Sequence, residues 1–542
     1  MGEAQALSPG DLGFVALFLV GLAGVTIGVN RKVGAADSEH YFLGGRDIPW
    51  WAIGLSLFAS NIGTDHLVGL AGSGAASGLV VGLIELNSCY FLLVLGWVFV
   101  PHYVSMNIFT VPEFLEKRFD SSFRTSYAIF VIVATIATKI SVTIFAGATV
   151  LEQVVGWNML PSSMILLALT GIYTAVGGLA VVMYTEVLQS IVLLFGSAAL
   201  LWIGLSAVGG WSGLKQRLPA SHFSILQPLD DPDYPWLGML FGLPINSIWY
   251  WCCDQVMVQR VLAAKSVKVG QQGCVFAAWF KLLPMFIMVL PGLIAMALYP
   301  EEVSKDTNVA YAVLVTRLMP DGLRGPMVAV MLSSFMASLA SSFNSCSTVF
   351  TMDVYLRLRP DVAEADLVQK GRIFTLGLAA ASLCWLPVIE ASPERQLFLY
   401  IQKMQMIWTA PISAVFLATC ISDRVSGRAA WCTVAIAIPV GLIFWVFNTV
   451  IPEESGVKFL RDMNYLYFSE LHFLLSVKIL LTVSVAERLW RGPAADAESQ
   501  ALRLRAHTAP AYGASSGDAV AEAGACEGGD GGGPAGGAAG SG

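Results

Sequence analysis

Stretches long and apolar enough to cross a bilayer recur thirteen times along this chain, and no soluble fold has room for so many. A bilayer core takes roughly 20 mostly apolar residues per helix. The stretches run approximately 9–29, 50–74, 77–103, 125–154, 160–178, 181–209, 236–262, 273–299, 325–356, 370–390, 396–420, 429–451 and 463–487. Charged residues make up 13% of the chain and hydrophobic ones 56%, whereas a soluble domain carries about 25% charged residues. In water the surplus apolar surface would aggregate; in lipid it is solvated. Lipid also demands that backbone polar groups be satisfied within each segment. The expected fold class is therefore an all-α polytopic membrane protein. The net charge of −7 says little, because most charges fall between the apolar stretches and in the tail.

An odd number of crossings places the two termini on opposite sides. Counting Arg260, Lys370 and Arg372 at the span edges, loops after odd-numbered spans together with the tail hold nineteen Lys and Arg residues, and the opposite loops hold eight. Positive-inside logic then puts the N-terminus outside and the C-terminus in the cytoplasm. The first apolar run lacks a basic leader and reads as a spanning helix rather than a cleavable signal. Beyond Arg491 the sequence is rich in Gly, Ala and Ser without apolar periodicity, so 492–542 reads as a disordered cytoplasmic tail. Eight of the nine cysteines lie in apolar stretches, where Cys acts as a small hydrophobe rather than as half of a disulfide framework.

Two spans look broken. Span 2 carries Phe58-Ala59-Ser60-Asn61-Ile62-Gly63-Thr64-Asp65-His66 in its middle, and span 7 carries Pro244-Ile245-Asn246-Ser247-Ile248-Trp249-Tyr250-Trp251. They lie five spans apart. Interrupted segments at matching positions of two halves point to a central binding site in transporters, because unwound backbone frees carbonyls for a cation and is tolerated only where it lines a cavity. The plainer reading of either is a kink in a packing helix. Glu85 in span 3 and Lys281 in span 8 are charges within apolar turns. Such groups cost at least about 2.5–3.5 kcal/mol unless they face a cavity or a partner, so they either build a site or pair with one another. Asp65 and Asp254 fit structural ion pairs as well as functional roles. Trp249, Tyr250 and Trp251 next to polar groups fit either plain packing or a small polar ligand with an apolar face.

These strings resemble the sodium/solute symporter family, most closely its sodium–glucose cotransporter branch. The resemblance is carried by Tyr41-Phe42-Leu43-Gly44-Gly45-Arg46, by Pro49 through Gly63, by Gly69 through Gly78, by Trp249-Tyr250-Trp251-Cys252 with Asp254-Gln255, by Lys281 with Pro284-Met285-Phe286, and by Phe343-Asn344-Ser345 and Tyr400-Ile401-Gln402. It covers roughly residues 10–490 and implies a LeuT-type fold of two inverted five-helix repeats around a midplane site. The implied division is 1–49 for the N-terminus with span 1, 50–209 for the first repeat, 210–235 for an extracellular loop, 236–420 for the second repeat, 421–491 for two further spans, and the tail. Relatives carry one more C-terminal helix, which the tail is expected to replace here.

By the same resemblance, Asn61, His66, Glu85, Ser247, Tyr250, Trp251, Lys281 and Gln402 would contact a sugar. Leu70, Ile84 and Phe398 would form the outer gate and Tyr250 the inner one. Sodium would be held by carbonyls of Ala59, Ile62 and Ser334 and the Ser338 hydroxyl, an oxygen-only set that suits a hard cation. Ala337 removes one oxygen found in relatives. A second sodium site would use Glu186 and Ser341, weakened because Ala340 stands where a Thr is usual. Leu86, and the run Lys403-Met404-Gln405-Met406-Ile407-Trp408, depart from the family pattern close to the pocket. The implied activity is sodium-driven symport of a glucose- or galactose-like hexose at the plasma membrane, with a polyol such as myo-inositol as the alternative. A sugar-gated sensor is disfavoured because Gln402 is intact where a sensor carries an acid. No enzyme, no cofactor beyond Na⁺ and no nucleic-acid partner are expected, and nothing in the residues speaks to oligomeric state.

Overall fold

The structure, a computed structural model, describes residues 7–33, 37–63, 65–156, 158–385, 397–422, 425–449 and 462–491. The expected disordered tail lies outside the described residues, as does Thr64. Among the described residues the chain is helical throughout, with a single isolated bridge between Gln227 and Pro235 as its only extended pairing.

Nine described helices are long and apolar enough to cross a membrane, where the sequence spacing predicts thirteen spans. Two of the nine are far longer than one crossing: Asp65–Ser105 with 41 residues and Leu160–Val208 with 49. At 1.5 Å per residue, 49 residues reach about 70 Å, more than twice the hydrocarbon thickness. Both change direction at a glycine. Gly178 has φ 62 and ψ −163, and a Cβ there would lie 2.4 Å from the Tyr41 carbonyl oxygen. No other residue tolerates that backbone at that approach. Gly78 makes the equivalent turn with φ 82 and ψ −151. The predicted span 7 falls short of a continuous helix because it is assembled from pieces of 13 and 8 residues.

Burial separates the helices into a lipid-facing set and an interior set. Pro9–Val33 is apolar on every side and leaves Leu17, Val20 and Ile27 exposed, as do Phe195, Trp202, Leu471 and Leu474 on other helices. Arg324–Val349 is the opposite case. It carries Ser333, Ser334, Ser338, Ser341, Ser342, Asn344, Ser345, Ser347 and Thr348, all of them buried. A helix polar over more than half its circumference belongs inside a bundle, where its hydroxyls find partners on neighbouring helices.

The two predicted breaks differ in place. Trp50–Asn61 stops where the sequence suggested: Ile62 leaves helical geometry (φ −82, ψ 77) and the chain resumes at Asp65 in a wide-turned segment reaching Leu70. In span 7, Pro244 lies inside the helix Trp236–Ile248 without ending it. The helix widens over Trp249–Cys253 and breaks at Asp254, which is extended (φ −77, ψ 126). Asp254 then starts Gln255–Leu262 by accepting a hydrogen bond from the Val256 amide at 2.8 Å, as an N-cap does. A third interruption was not anticipated. Val267–Phe280 ends at Lys281, and the chain turns before Leu290–Leu298. Arg260, read from sequence as a loop cation, is fully buried.

Candidate functional site

At the first break the Gly63 amide bonds back to the Asn61 carbonyl at 2.9 Å. The Ala59 carbonyl, four residues before it, is thereby released from that helical partner. The Ile62 carbonyl accepts from the Ser334 hydroxyl at 2.7 Å. Ser338, one turn further along the central helix, lies 3.5 Å from the Thr143 hydroxyl. Space beside Gly63 is closed on one side by the Ser338 hydroxyl and on the other by the Asp65 carboxylate, which lie 2.9 and 2.2 Å from where a Cβ would stand. Helix break and central helix thus bring together the residues expected to hold sodium, all through oxygen. Thr143 and Asp65 are additional oxygens there. A carbonyl keeps a second lone pair after accepting one hydrogen bond, so the donor set fits a small hard cation.

The cavity next to this break has about 800 Å³ of empty space, its opening included. Asn61, His66, Glu85, Ser247, Tyr250, Trp251 and Gln402 line it. Lys281 is fully buried behind that lining and bonds both Glu85 and Asn61. Its ammonium also sits 5.6 Å from the Trp251 ring centre, within cation–π range. His66 Nε2 is 3.4 Å from Glu85, and its Nδ1 is 3.2 Å from Asp65. Asn61 donates to the Tyr250 hydroxyl at 2.8 Å, and Asn87 to Ser247 at 2.7 Å. Seven of the eight expected substrate residues therefore line one cavity and the eighth, Lys281, backs it; Asn61, His66, Glu85, Tyr250, Trp251 and Lys281 contact one another, while Ser247 pairs with Asn87. Glu85 and Lys281 do pair with one another, and they do so at the wall of a cavity.

Ile84 and Phe398 line one part of the cavity, and both belong with Leu70 to the same buried apolar cluster. The Phe398 ring meets the His66 ring edge-on at 6.1 Å. Gly69 leaves no room there for a side chain: its Cβ would lie 2.9 Å from Phe398 Cβ. Tyr250 is covered from another side by Lys139, whose ammonium lies 4.6 Å from the ring and 2.7 Å from Asp254. Sequence reasoning missed Lys139, although a lysine in the apolar run Thr135–Val142 carries the same signal as Lys281.

Away from the cavity, Glu186 is fully buried and accepts from both Ser56 and Ser341. The expected pairing of Glu186 with Ser341 is present as geometry. The unexpected member is Arg260, 3.2 Å from Glu186 with both side chains at 0% exposure. A buried carboxylate so placed already has its cation.

Residues 41–436 match the model of the sodium:solute symporter family. The chain is 39% identical over 519 residues to sodium/myo-inositol cotransporter 2 of Sus scrofa, spanning 89% of this chain and 77% of that protein. It is 39% identical over 534 residues to sodium/glucose cotransporter 2 of Rattus norvegicus (89% and 80%), and 38% identical over 518 residues to sodium/glucose cotransporter 4 of Danio rerio (88% and 79%). In three dimensions it resembles a solved Na⁺-coupled sialic acid symporter in a substrate-bound, outward-open state, with a TM-score of 0.76 at 18% identity over 88% of this chain and 98% of that one. That likeness establishes a shared LeuT-type fold.

Proposed function

This chain belongs to the sodium:solute symporter family, and on that premise we propose that it carries an uncharged hexose across the membrane together with Na⁺ by alternating access. It is a transporter, not an enzyme, and its coupling ion is Na⁺. The observation that favours a neutral, hydroxyl-rich substrate is the matching of charges around the cavity. Glu85 is matched by Lys281 and Lys139 by Asp254, while Asp65 lies beside His66. No unmatched cation lines the cavity among the described residues, so an acidic substrate would find no counter-charge. What remains is a set of placed hydrogen-bonding groups beside Tyr250 and Trp251, suited to a ring with one apolar face.

Substrate contacts are assigned to Asn61, His66, Glu85, Ser247, Tyr250, Trp251, Lys281 and Gln402, with Leu70, Ile84 and Phe398 as outer gate and Tyr250 as inner gate. Sodium is assigned to Ala59, Ile62, Ser334 and Ser338. Thirteen crossings follow if the two overlong stretches each cross twice and spans 7 and 10 cross as broken or shorter helices. The N-terminus is then outside, the C-terminus cytoplasmic, and 50–209 and 236–420 form the inverted repeats. One sodium per sugar is favoured, because Ala340 offers no hydroxyl and Glu186 is already neutralised by Arg260. A polyol is the second reading, favoured by the likeness to a cotransporter named for myo-inositol.

The test is labelled uptake into proteoliposomes with an inward sodium or potassium gradient, against a panel of hexoses and myo-inositol. Sodium-driven accumulation of a hexose is expected. Accumulation of myo-inositol alone replaces the first reading by the second, and uptake indifferent to sodium removes both.

A further inference from the structure

Two buried amides line the same cavity outside the set assigned above. Asn246 precedes Ser247 on the helix Trp236–Ile248, and Gln405 lies three residues beyond Gln402 on the helix Leu397–Ile421. Each is 5% exposed. Residues three apart on a helix share a face, so Gln402 and Gln405 present one above the other. Gln405 is also seven residues past the gate residue Phe398, or about 10 Å further along the helix. The state of Asn246 is the telling feature. Its carbonyl oxygen accepts from the fully buried Thr409 hydroxyl at 2.6 Å, which fixes which way the amide faces. Its amide nitrogen is left buried with no hydrogen-bond partner among the described residues. Leaving such a donor unpaired is unfavourable by about 1–3 kcal/mol, and in a cavity wall the deficit is removed when a ligand oxygen arrives.

Resting on the hexose or polyol reading above, we infer that Asn246 and Gln405 are specificity-determining residues. They form an additional polar rung that takes hydroxyl oxygens of the substrate not held by Glu85, Lys281 or Gln402. Asn246 donates through its nitrogen, and Gln405 both donates and accepts. Thr409 is a positioning residue: by donating to the amide oxygen it fixes the Asn246 amide and leaves its nitrogen as the group offered to the substrate. Such a rung discriminates between ligands by where their hydroxyls lie, because an analogue lacking the hydroxyl leaves the amide unpaired again.

The experiment pairs protein variants with monodeoxy analogues of the transported substrate in proteoliposome uptake. In the wild type, at least one analogue should show KM raised about tenfold, the scale of one lost buried hydrogen bond. In Asn246→Leu the parent substrate should lose about the same factor, and that one analogue should then bind no worse than the parent. Analogues whose missing hydroxyl faces Glu85 should remain as poor as in the wild type. Gln405→Met should abolish discrimination at a different hydroxyl. Thr409→Val should mimic Asn246→Leu more weakly, and Thr409→Ser, which keeps the hydroxyl, should behave as wild type. A deoxy profile in Asn246→Leu and Gln405→Met parallel to that of the wild type overturns the inference. If Asn246→Leu does not reach the membrane, Gln405→Met and the two Thr409 variants decide the matter on the same comparison. Wild-type protein that moves neither hexose nor cyclitol would instead bring down the transport reading on which the inference stands.

Discussion

Glu85 and Lys281 are separated by 196 positions in the chain and are both buried, so each is the reason the other can be where it is. Removing one partner of a buried pair leaves an uncompensated charge and costs about 3–5 kcal/mol, whereas Gln402 belongs to no pair. The two should therefore fail differently. Gln402→Ala is expected to raise the KM for sugar at least tenfold while protein reaches the membrane in normal amount. Glu85→Ala should abolish uptake and also lower thermal stability, because Lys281 is stranded. Surface expression, thermal unfolding and uptake kinetics separate these outcomes, and wild-type sugar affinity in both variants would sink the assigned pocket. At the ion site, Ser338 is the one side-chain hydroxyl assigned to sodium. Ser338→Ala should raise the sodium concentration for half-maximal uptake severalfold, on the scale of about 1 kcal/mol for one lost ligand contact. An unchanged sodium dependence would count against the site.

Interrupted helices, rather than whole ones, carry the site. The break at Ile62 exposes carbonyls, the widened turn at Trp249–Cys253 aims Tyr250 and Trp251 at the cavity, and the stop at Lys281 delivers its ammonium to Glu85. Irregular backbone at membrane depth persists only where protein or a polar cavity satisfies it, which is why breaks and cavity coincide. At the second break, Asp254 caps a helix and pairs with Lys139 beneath Tyr250. Asp254→Asn separates those duties, because Asn caps a helix about as well as Asp but carries no charge. Turnover is expected to fall tenfold or more with the helix intact by circular dichroism. Wild-type turnover would show that the Lys139–Asp254 pair plays no part in closing the cavity.

For the whole molecule the question is how much work one cycle can do. One charge crossing 100 mV contributes about 2.3 kcal/mol, and an assumed tenfold sodium gradient adds about 1.4 kcal/mol. One ion then supports roughly 500-fold accumulation of a neutral sugar and two ions about the square of that. The reversal potential of sugar-coupled current, measured at several sodium gradients, should follow the slope for one ion. Ala340→Thr, which restores a hydroxyl near the Glu186–Ser341 pair, should move that slope toward two. A wild-type slope fitting two ions would refute the single-ion reading, and would mean that Arg260 does not keep a second cation from Glu186.

The apolar stretches were legible because crossing a bilayer is a demand on length and composition, which a linear sequence states outright. So was the break at Asn61–Gly63, where polar residues interrupt an apolar run. A charge in such a run announces that a partner exists, as Glu85 and Lys281 did. It does not say which partner, and Lys139 and Arg260 were overlooked or misplaced for that reason: one pairs with Asp254 and the other with Glu186, 74 positions away. In span 7 the irregular backbone starts at Trp249, inside the run read as broken, and the break itself falls at Asp254, three residues beyond it, because packing against neighbours carries the helix through Pro244. Thr409 and Asn246, 163 positions apart, have no mark in the sequence beyond being polar. Which side chains meet depends on how far each helix is rotated and how closely its small residues let it approach the next. Inside lipid no hydrophobic force sets those quantities; the tertiary packing alone decided them.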